Sequence, residues 1–210
     1  MAVITPTITT NDPHEYRDQM ALITTFSEGV HLDFSDGVFA PTEMLPLDLA
    51  WRSDDLVTHA HIMCQKPLEL IDDIINLEAD LVILHAESDD VARALELLVE
   101  NGTRTGIALL PETSLADVED LDIQGLFEHV LVFGGHLGYQ GGSADLSLLK
   151  KVKVLRNRYD DIEIGWDGGV NEGNIVEIAR AGVDVINVGG YIKNAQEPKK
   201  AYDSLQALLS

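Results

Sequence analysis

Short apolar runs, many of them rich in Val and Ile, recur eight times along this chain, and longer stretches separate them. The runs are "AVIT" near residue 3, "VHLDF" at 30, "LVTHAHIM" at 56, "DLVILHA" at 80, "TGIALL" at 105, "HVLVFGG" at 129, "DIEIGWDGG" at 161 and "DVINVGG" at 184. Helical patterns lie between many of them: "HEYRDQMALITTF", "PLELIDDIINLE", "DDVARALELLVENG", "LSLLKKVKVLRNR", "NEGNIVEIARAG" and, at the end, "EPKKAYDSLQALL". Segments 45–52 and 115–120 read as short helices. The runs are continuously apolar rather than half-polar, which marks strands covered on both faces, as in a parallel sheet. Eight such units in 210 residues predict an α/β fold, a compact (β/α)8 TIM barrel, with a doubly wound open sheet as the alternative. No Pro/Gly/Ser-rich linker interrupts residues 1–210, so a single domain is expected.

In such a barrel, reactive groups gather where the strands end. Strand 2 carries "HLDFSDG", and alternation sends His31 and Asp33 to the same face. Strand 3 ends near His61, strand 4 at His85 and strand 7 at Asp167. Two imidazoles and two carboxylates at one rim, His31, Asp33, His61 and Asp167, form a donor set suited to one divalent cation such as Zn, Fe, Mn or Co. In "THAH", His59 shares a face with His61, and register alone decides which of them reaches the rim. His14, on a helix, reads as solvated, and Trp51 and Trp166 read as packing groups.

Acidic residues outnumber basic ones 36 to 14, a formal charge of −22. Such a surface repels nucleic acid and anionic membranes, so neither is expected as a partner. An anionic substrate would need local groups to hold it. "LGYQGGS", "DGGVN" and "VGGY", following strands 6, 7 and 8, supply them: glycine lets backbone N–H groups approach a phosphate without Lys or Arg. Barrels commonly bind phosphate after strands 7 and 8. The candidate binding residues are Gly138, Tyr139, Gln140, Gly141, Gly168, Gly169, Gly189 and Gly190.

The single cysteine, Cys64, excludes an internal disulfide and reads as a small buried hydrophobe in a reducing compartment. No basic-then-apolar leader opens the chain, and no apolar run approaches the roughly 18 residues of a membrane span. A cytoplasmic location is expected. A homo-oligomer is compatible with a barrel of this size.

These motifs resemble the ribulose-phosphate 3-epimerase family almost end to end. "TPTIT" at 5–9 is similar to the family's A-P-S-I-L, and "HLDFSDGVFAP" to H-x-D-x-M-D-G-x-F-x-P, the most specific match. "HIM" at 61–63 resembles H-L-M, "HLGYQGG" resembles N-P-G-F-G-G-Q, "IEIGWDGGVN" resembles the strand 7 D-G-G-[IV]-N, and "VGGY" the closing V-x-G-S/G. The resemblance implies a metal-dependent 3-epimerase of a ketose phosphate, converting ribulose 5-phosphate to xylulose 5-phosphate or acting on a related hexulose 6-phosphate. It implies Asp33 and Asp167 as the acid/base pair working through an enediolate, and His31, Asp33, His61 and Asp167 as metal ligands. Thr7 and His61 would touch substrate. The chain departs from the pattern at Ser35 and Phe133, where the family has Met, at His136 and Leu137, which replace Asn-Pro, and at Gln140 within the glycine loop.

Two other functions are compatible with this barrel. A decarboxylase or synthase of the same superfamily relies on a D-x-K-x-x-D strand, and "HLDFSDG" has no lysine. A non-catalytic phosphosugar-binding barrel has no use for a buried carboxylate pair, which is costly to keep.

Overall fold

A computed structural model of the chain describes residues 2–118, 121, 125–139, 141–159 and 161–210. The chain begins with β1 (Val3–Ile8), α1 (Pro13–Ile23), β2 (Gly29–Ser35) and β3 (Val57–Met63). It continues through α2 (Ile71–Asn76), β4 (Leu81–His85), α3 (Val91–Glu100), β5 (Thr105–Leu109) and β6 (His129–Phe133). It ends with α4 (Leu149–Arg158), β7 (Glu163–Asp167), α5 (Ile175–Arg180), β8 (Val185–Val188), α6 (Gly190–Lys193) and α7 (Pro198–Leu209). The eight strands pair in chain order and close on themselves, β8 lying beside β1, all in parallel. This is the expected (β/α)8 barrel.

All eight apolar runs became strands, and the helical patterns formed helices in the same places. Single-turn 3₁₀ helices at Leu47–Leu49 and Leu115–Val118 occupy the two weaker segments; the rest of 115–120 lies outside the described residues. The four-residue α6, directly after "VGG", is too short to leave a periodic signature. Asp12 starts α1, its Oδ1 accepting the His14 and Glu15 N–H groups at 2.7 and 3.4 Å, with Pro13 at the first helical position. Pro6 lies inside β1 and lacks the N–H a ladder needs. The β1–β2 ladder accordingly pairs only Thr7 with His31 and Ile8 with Leu32.

Outward-facing residues such as Ile4, Leu32, Ile62, Leu84, Ile107, Val132, Ile164 and Ile186 build the main core between strands and helices. Each such side chain stabilises the fold by about 1.5–3 kcal/mol on burial. The barrel interior is divided. Leu81, Ile83, Ala108 and Leu131 make a small apolar cluster on β4, β5 and β6. On the remaining strands Thr5, Thr7, His31, His59, His61, Asp167 and Asn187 are buried polar groups. Of these, Thr7, His31, His61, Asp167 and Asn187 position the site described below, while His59 lies deeper, and His85 and His129 are further buried polar groups on β4 and β6. Towards the N-terminal ends of the strands, His129 Nδ1 meets Glu163 Oε2 at 2.8 Å, and Arg104 donates to the same oxygen at 3.0 Å. These contacts hold the Glu163 carboxyl down to about 2, with His129 the largest cause. Among the described residues, no helix is long and apolar enough to cross a membrane.

Candidate active site

Asp33 on β2 and His61 on β3 are register partners, as are His31 and His59. Period-2 alternation therefore puts all four on the inward face, His61 one layer nearer the mouth than His59. Register thus resolves the "THAH" ambiguity. His61 Nδ1 lies 3.1 Å from Asp33 Oδ1 and 3.9 Å from Asp167 Oδ2. His31 Nε2 lies 3.3 and 4.0 Å from the same two oxygens. One donor atom from each of His31, Asp33, His61 and Asp167 falls within 4.8 Å of every other. The His59 ring instead stands 6.2 Å from the His129 ring, deeper in the barrel.

The donor set fits a divalent cation. His31 Nδ1 is buried without a hydrogen-bond partner, and its Nε2 has only the 3.3 Å approach to Asp33 Oδ1, an expensive arrangement unless something further binds there. Two nitrogens and two carboxylate oxygens suit a borderline metal.

The two carboxylates are driven in opposite directions. Burial pushes Asp167 up to about 6, and the neighbouring Asp33 charge adds to the shift. Burial works against ionisation of Asp33 too, but contacts from His31 and His61 outweigh it and hold that carboxyl well below the usual range. His31 is raised: burial opposes its charge, and Asp33 and Asp167 more than compensate. Asp33 Oδ2 also accepts a 2.6 Å hydrogen bond from the Thr9 hydroxyl, which leaves Oδ1 for the cluster.

Above the four residues opens a cleft of about 290 Å³. Asp33 and Asp167 line it directly, with Thr7, Thr9, Asn187, Met44 and Met63, whereas His31 and His61 are wholly buried. Gly138, Tyr139, Gly141, Gly168, Gly169, Gly189 and Gly190 all line the cleft as well; Gln140 lies outside the described residues. Gly169, at φ +64°, is indispensable sterically, since a Cβ there would stand 2.1 Å from the Ala144 backbone nitrogen. No lysine or arginine lines the cleft among the described residues. Lys193 is engaged with Glu15 Oε1 at 2.9 Å.

Sequence reasoning placed Thr7 and His85 at this rim but missed Thr9, Asn187 and Glu87. Thr9 shares the inward face of Thr7, and alternation would have found it. Asn187 faces the cleft as the register partner of Asp167, and neither polar atom of its buried side chain has a partner. The Thr7 hydroxyl is likewise buried and unpartnered. His85 Nε2 lies 2.9 Å from His61 Nε2 on the side away from Asp33, and its Nδ1 lies 3.2 Å from Glu87 Oε2. Burial pushes His85 down to about 4 despite the hydrogen bond with Glu87. Burial disfavours the Glu87 charge, but its hydrogen bonds prevail and lower it.

Asp36, the second acidic residue of "HLDFSDG", shapes the loop instead. Its carboxylate accepts the N–H groups of Val38, Phe39 and Gln65 at 2.7–2.8 Å. Trp166 is fully buried and its Nε1 donates to the Gly168 carbonyl at 3.0 Å, a packing role. Trp51 stacks edge-on against Tyr16 at 5.9 Å, and His14 is exposed. Burial pushes the Cys64 thiol up to about 12, consistent with an inert hydrophobe.

A closed parallel barrel with two imidazoles and two carboxylates gathered at its C-terminal mouth defines a (β/α)8 protein with a cluster that could hold a metal ion. The ribulose-phosphate 3-epimerase family model matches residues 3–193, and the chain belongs to that family. A relative from Aquifex aeolicus named ribulose-phosphate 3-epimerase is 27% identical, the match covering 100% of this chain and 97% of that protein. One of the same name from Helicobacter pylori is 32% identical over 84% of each chain. Among solved structures, a 3-hexulose-6-phosphate synthase superposes with a TM-score of 0.73 at 18% identity, covering 99% of this chain and 100% of that one, a likeness of fold.

Proposed function

We propose that the protein is a 3-epimerase of a ketose phosphate, ribulose 5-phosphate or a related hexulose 6-phosphate, with Asp33 and Asp167 as its acid and base. The observation that carries this reading is the pairing of two cleft-lining carboxylates with opposite protonation tendencies around one metal-competent point. Environments that drive two titratable groups apart assign acid and base roles. Asp33, kept ionised, removes the C3 proton of the ketose. Asp167, which burial favours in its protonated form, returns one from the opposite face and so inverts C3; in the reverse direction the roles exchange. Groups this close titrate as a pair, so these roles belong to the dyad.

His31, Asp33, His61 and Asp167 would hold the cation. When bound, such an ion supplies Lewis-acid stabilisation of the negative charge that develops on the ketose oxygens. Thr9 orients Asp33. Thr7 and Asn187 offer a hydroxyl and an amide, both lacking partners, to the substrate's oxygens. The glycine loops after β6, β7 and β8 hold the phosphate through backbone N–H groups, which removes the need for a cationic side chain in a chain of charge −22.

Exchange of the C3 proton of ribulose 5-phosphate with deuterated solvent tests the proposal. Loss of that exchange in Asp33→Asn, with loss of net epimerisation in both Asp33→Asn and Asp167→Asn, supports it. Binding of the sugar phosphate without exchange identifies a phosphosugar-binding barrel instead.

A further inference from the structure

We propose that Asn187 is a specificity-determining residue whose amide reads the substrate's C4 hydroxyl. C4 is the carbon next to the reacting C3 on the phosphate side, so the protein is restricted to ketose phosphates oxygenated there. The inference rests on the 3-epimerase reading above. Asn187 lies on β8, whose Ile186 and Val188 join the core outside the barrel, so alternation turns Asn187 inward. It is the register partner of Asp167 on one side and of Thr5 on the other. Its backbone therefore stands one strand spacing, about 4.8 Å, from that of Asp167, and roughly 6–7 Å along the chain from Gly189. One end of this stretch holds the acid/base pair at C3, and the other holds the glycine loops that take the phosphate. A ketose phosphate spanning the two lays C4 along Asn187.

The amide is left open for such a group. Asn187 is 1% exposed and lines the cleft, and neither its Oδ1 nor its Nδ2 has a partner. Exchanging the amide's oxygen and nitrogen leaves that unchanged. An amide both donates and accepts, as a hydroxyl does, so the two satisfy one another. Other polar groups of the cleft are committed. Thr9 donates to Asp33, Asn171 Nδ2 donates to the Gly169 carbonyl at 3.3 Å, and Asn171 Oδ1 accepts the Gly173 N–H at 2.8 Å. Thr7 keeps an unpartnered hydroxyl, but its register partner is His31, which places it on the metal side of the sugar. An apolar side chain at 187 would pack there without polar cost, whereas a buried amide is costly until a ligand pairs with it. A substrate lacking the hydroxyl leaves that cost in place, and sites of this kind reject it.

A matched deletion tests the inference. Wild type and Asn187→Val are each assayed on ribulose 5-phosphate and on its 4-deoxy analogue. Wild type should prefer the parent sugar by about 10- to 100-fold in kcat/KM. In Asn187→Val that preference should shrink at least about fivefold, because the parent loses a hydrogen bond and the analogue no longer strands an amide. Any effect of the deletion on C3 acidity is common to both proteins and cancels in the comparison. Thr7→Val, which removes the neighbouring unpartnered hydroxyl, should keep the wild-type preference. An undiminished preference in Asn187→Val overturns the inference, as does its loss in Thr7→Val alone. Wild type decides without any variant if it turns over the analogue as well as the parent, which also overturns it. If wild type binds ribulose 5-phosphate without epimerising it, the 3-epimerase reading fails separately, and the same comparison made on Kd values decides whether Asn187 reads the hydroxyl.

Discussion

Asp33 and His61 sit directly opposite one another on neighbouring strands, with Oδ1 and Nδ1 3.1 Å apart. Across the same opening, Asp167 Oδ2 approaches that nitrogen to 3.9 Å. If the carboxylates are the acid and base, removing either charge stops the reaction at different half-steps. Asp33→Asn and Asp167→Asn should each lower turnover by about 10²–10⁴-fold or more. Deuterium incorporation at C3 monitors proton removal separately from net epimerisation. A variant retaining near-wild-type net epimerisation would clear that residue of a proton-transfer role.

The four donors make stability depend on the cation. Dialysis against a chelator should lower Tm and abolish activity, and adding back Zn, Mn, Co or Fe(II) should restore both for the cognate ion. A cation present at 100 times its Kd adds about 2.7 kcal/mol. In His61→Ala the concentration-dependent rise in Tm should vanish. A Tm indifferent to chelator and to all four ions argues against a metal centre.

Acid should erode the fold through its buried imidazoles. Burial pushes His59 down to about 3, with the His129 ring the next cause. In the unfolded chain such a ring takes up a proton near pH 6.5. Between these values the unfolded state binds more protons, so this contribution to stability is lost as pH falls. Asp167, raised to about 6, acts in the opposite sense over part of the window, whereas the raised His31 does so only around and above pH 6.5. The clean readout is therefore a difference between two proteins. The urea stability of His59→Gln should fall less steeply than wild type between pH 6.5 and 4, by up to about 1.4 kcal/mol per pH unit. Parallel slopes would mean that His59 accepts a proton in the fold.

Asn187 separates function from stability. Its buried amide has no partner, and leaving such a group unpaired costs the fold about 1–3 kcal/mol. Asn187→Val should hold or raise Tm while raising KM for the sugar phosphate about 5- to 10-fold, the loss of one hydrogen bond. A stabilised protein with unchanged KM would show that the amide contacts no substrate.

The glycine loops carry a steric prediction. Gly169→Ala should destabilise the protein and raise KM at least about tenfold, because the new methyl collides with backbone at Ala144. Gly102→Ala, at φ +83° with nothing within 4 Å of the added Cβ, should cost only about 1–2 kcal/mol of backbone strain. Its kinetics should match wild type. Equal kinetic effects from both would discount the loop as a phosphate cradle.

The sequence by itself determined the barrel and the composition of its rim. Strand and helix periodicities are local properties, and the strand ends carry His31, Asp33, His61 and Asp167 in plain view. Even the glycine loops were visible, because a backbone approaching a ligand restricts residue type locally. Only the tertiary structure decided which histidine of "THAH" reaches the mouth, since that depends on a β2–β3 register no single strand encodes. It alone brought Thr9 to Asp33, Asn187 beside Asp167, and Glu87 through His85 to His61. Those pairings join residues distant in the chain, and a hydrogen bond exists only where closure of the sheet sets two atoms about 3 Å apart.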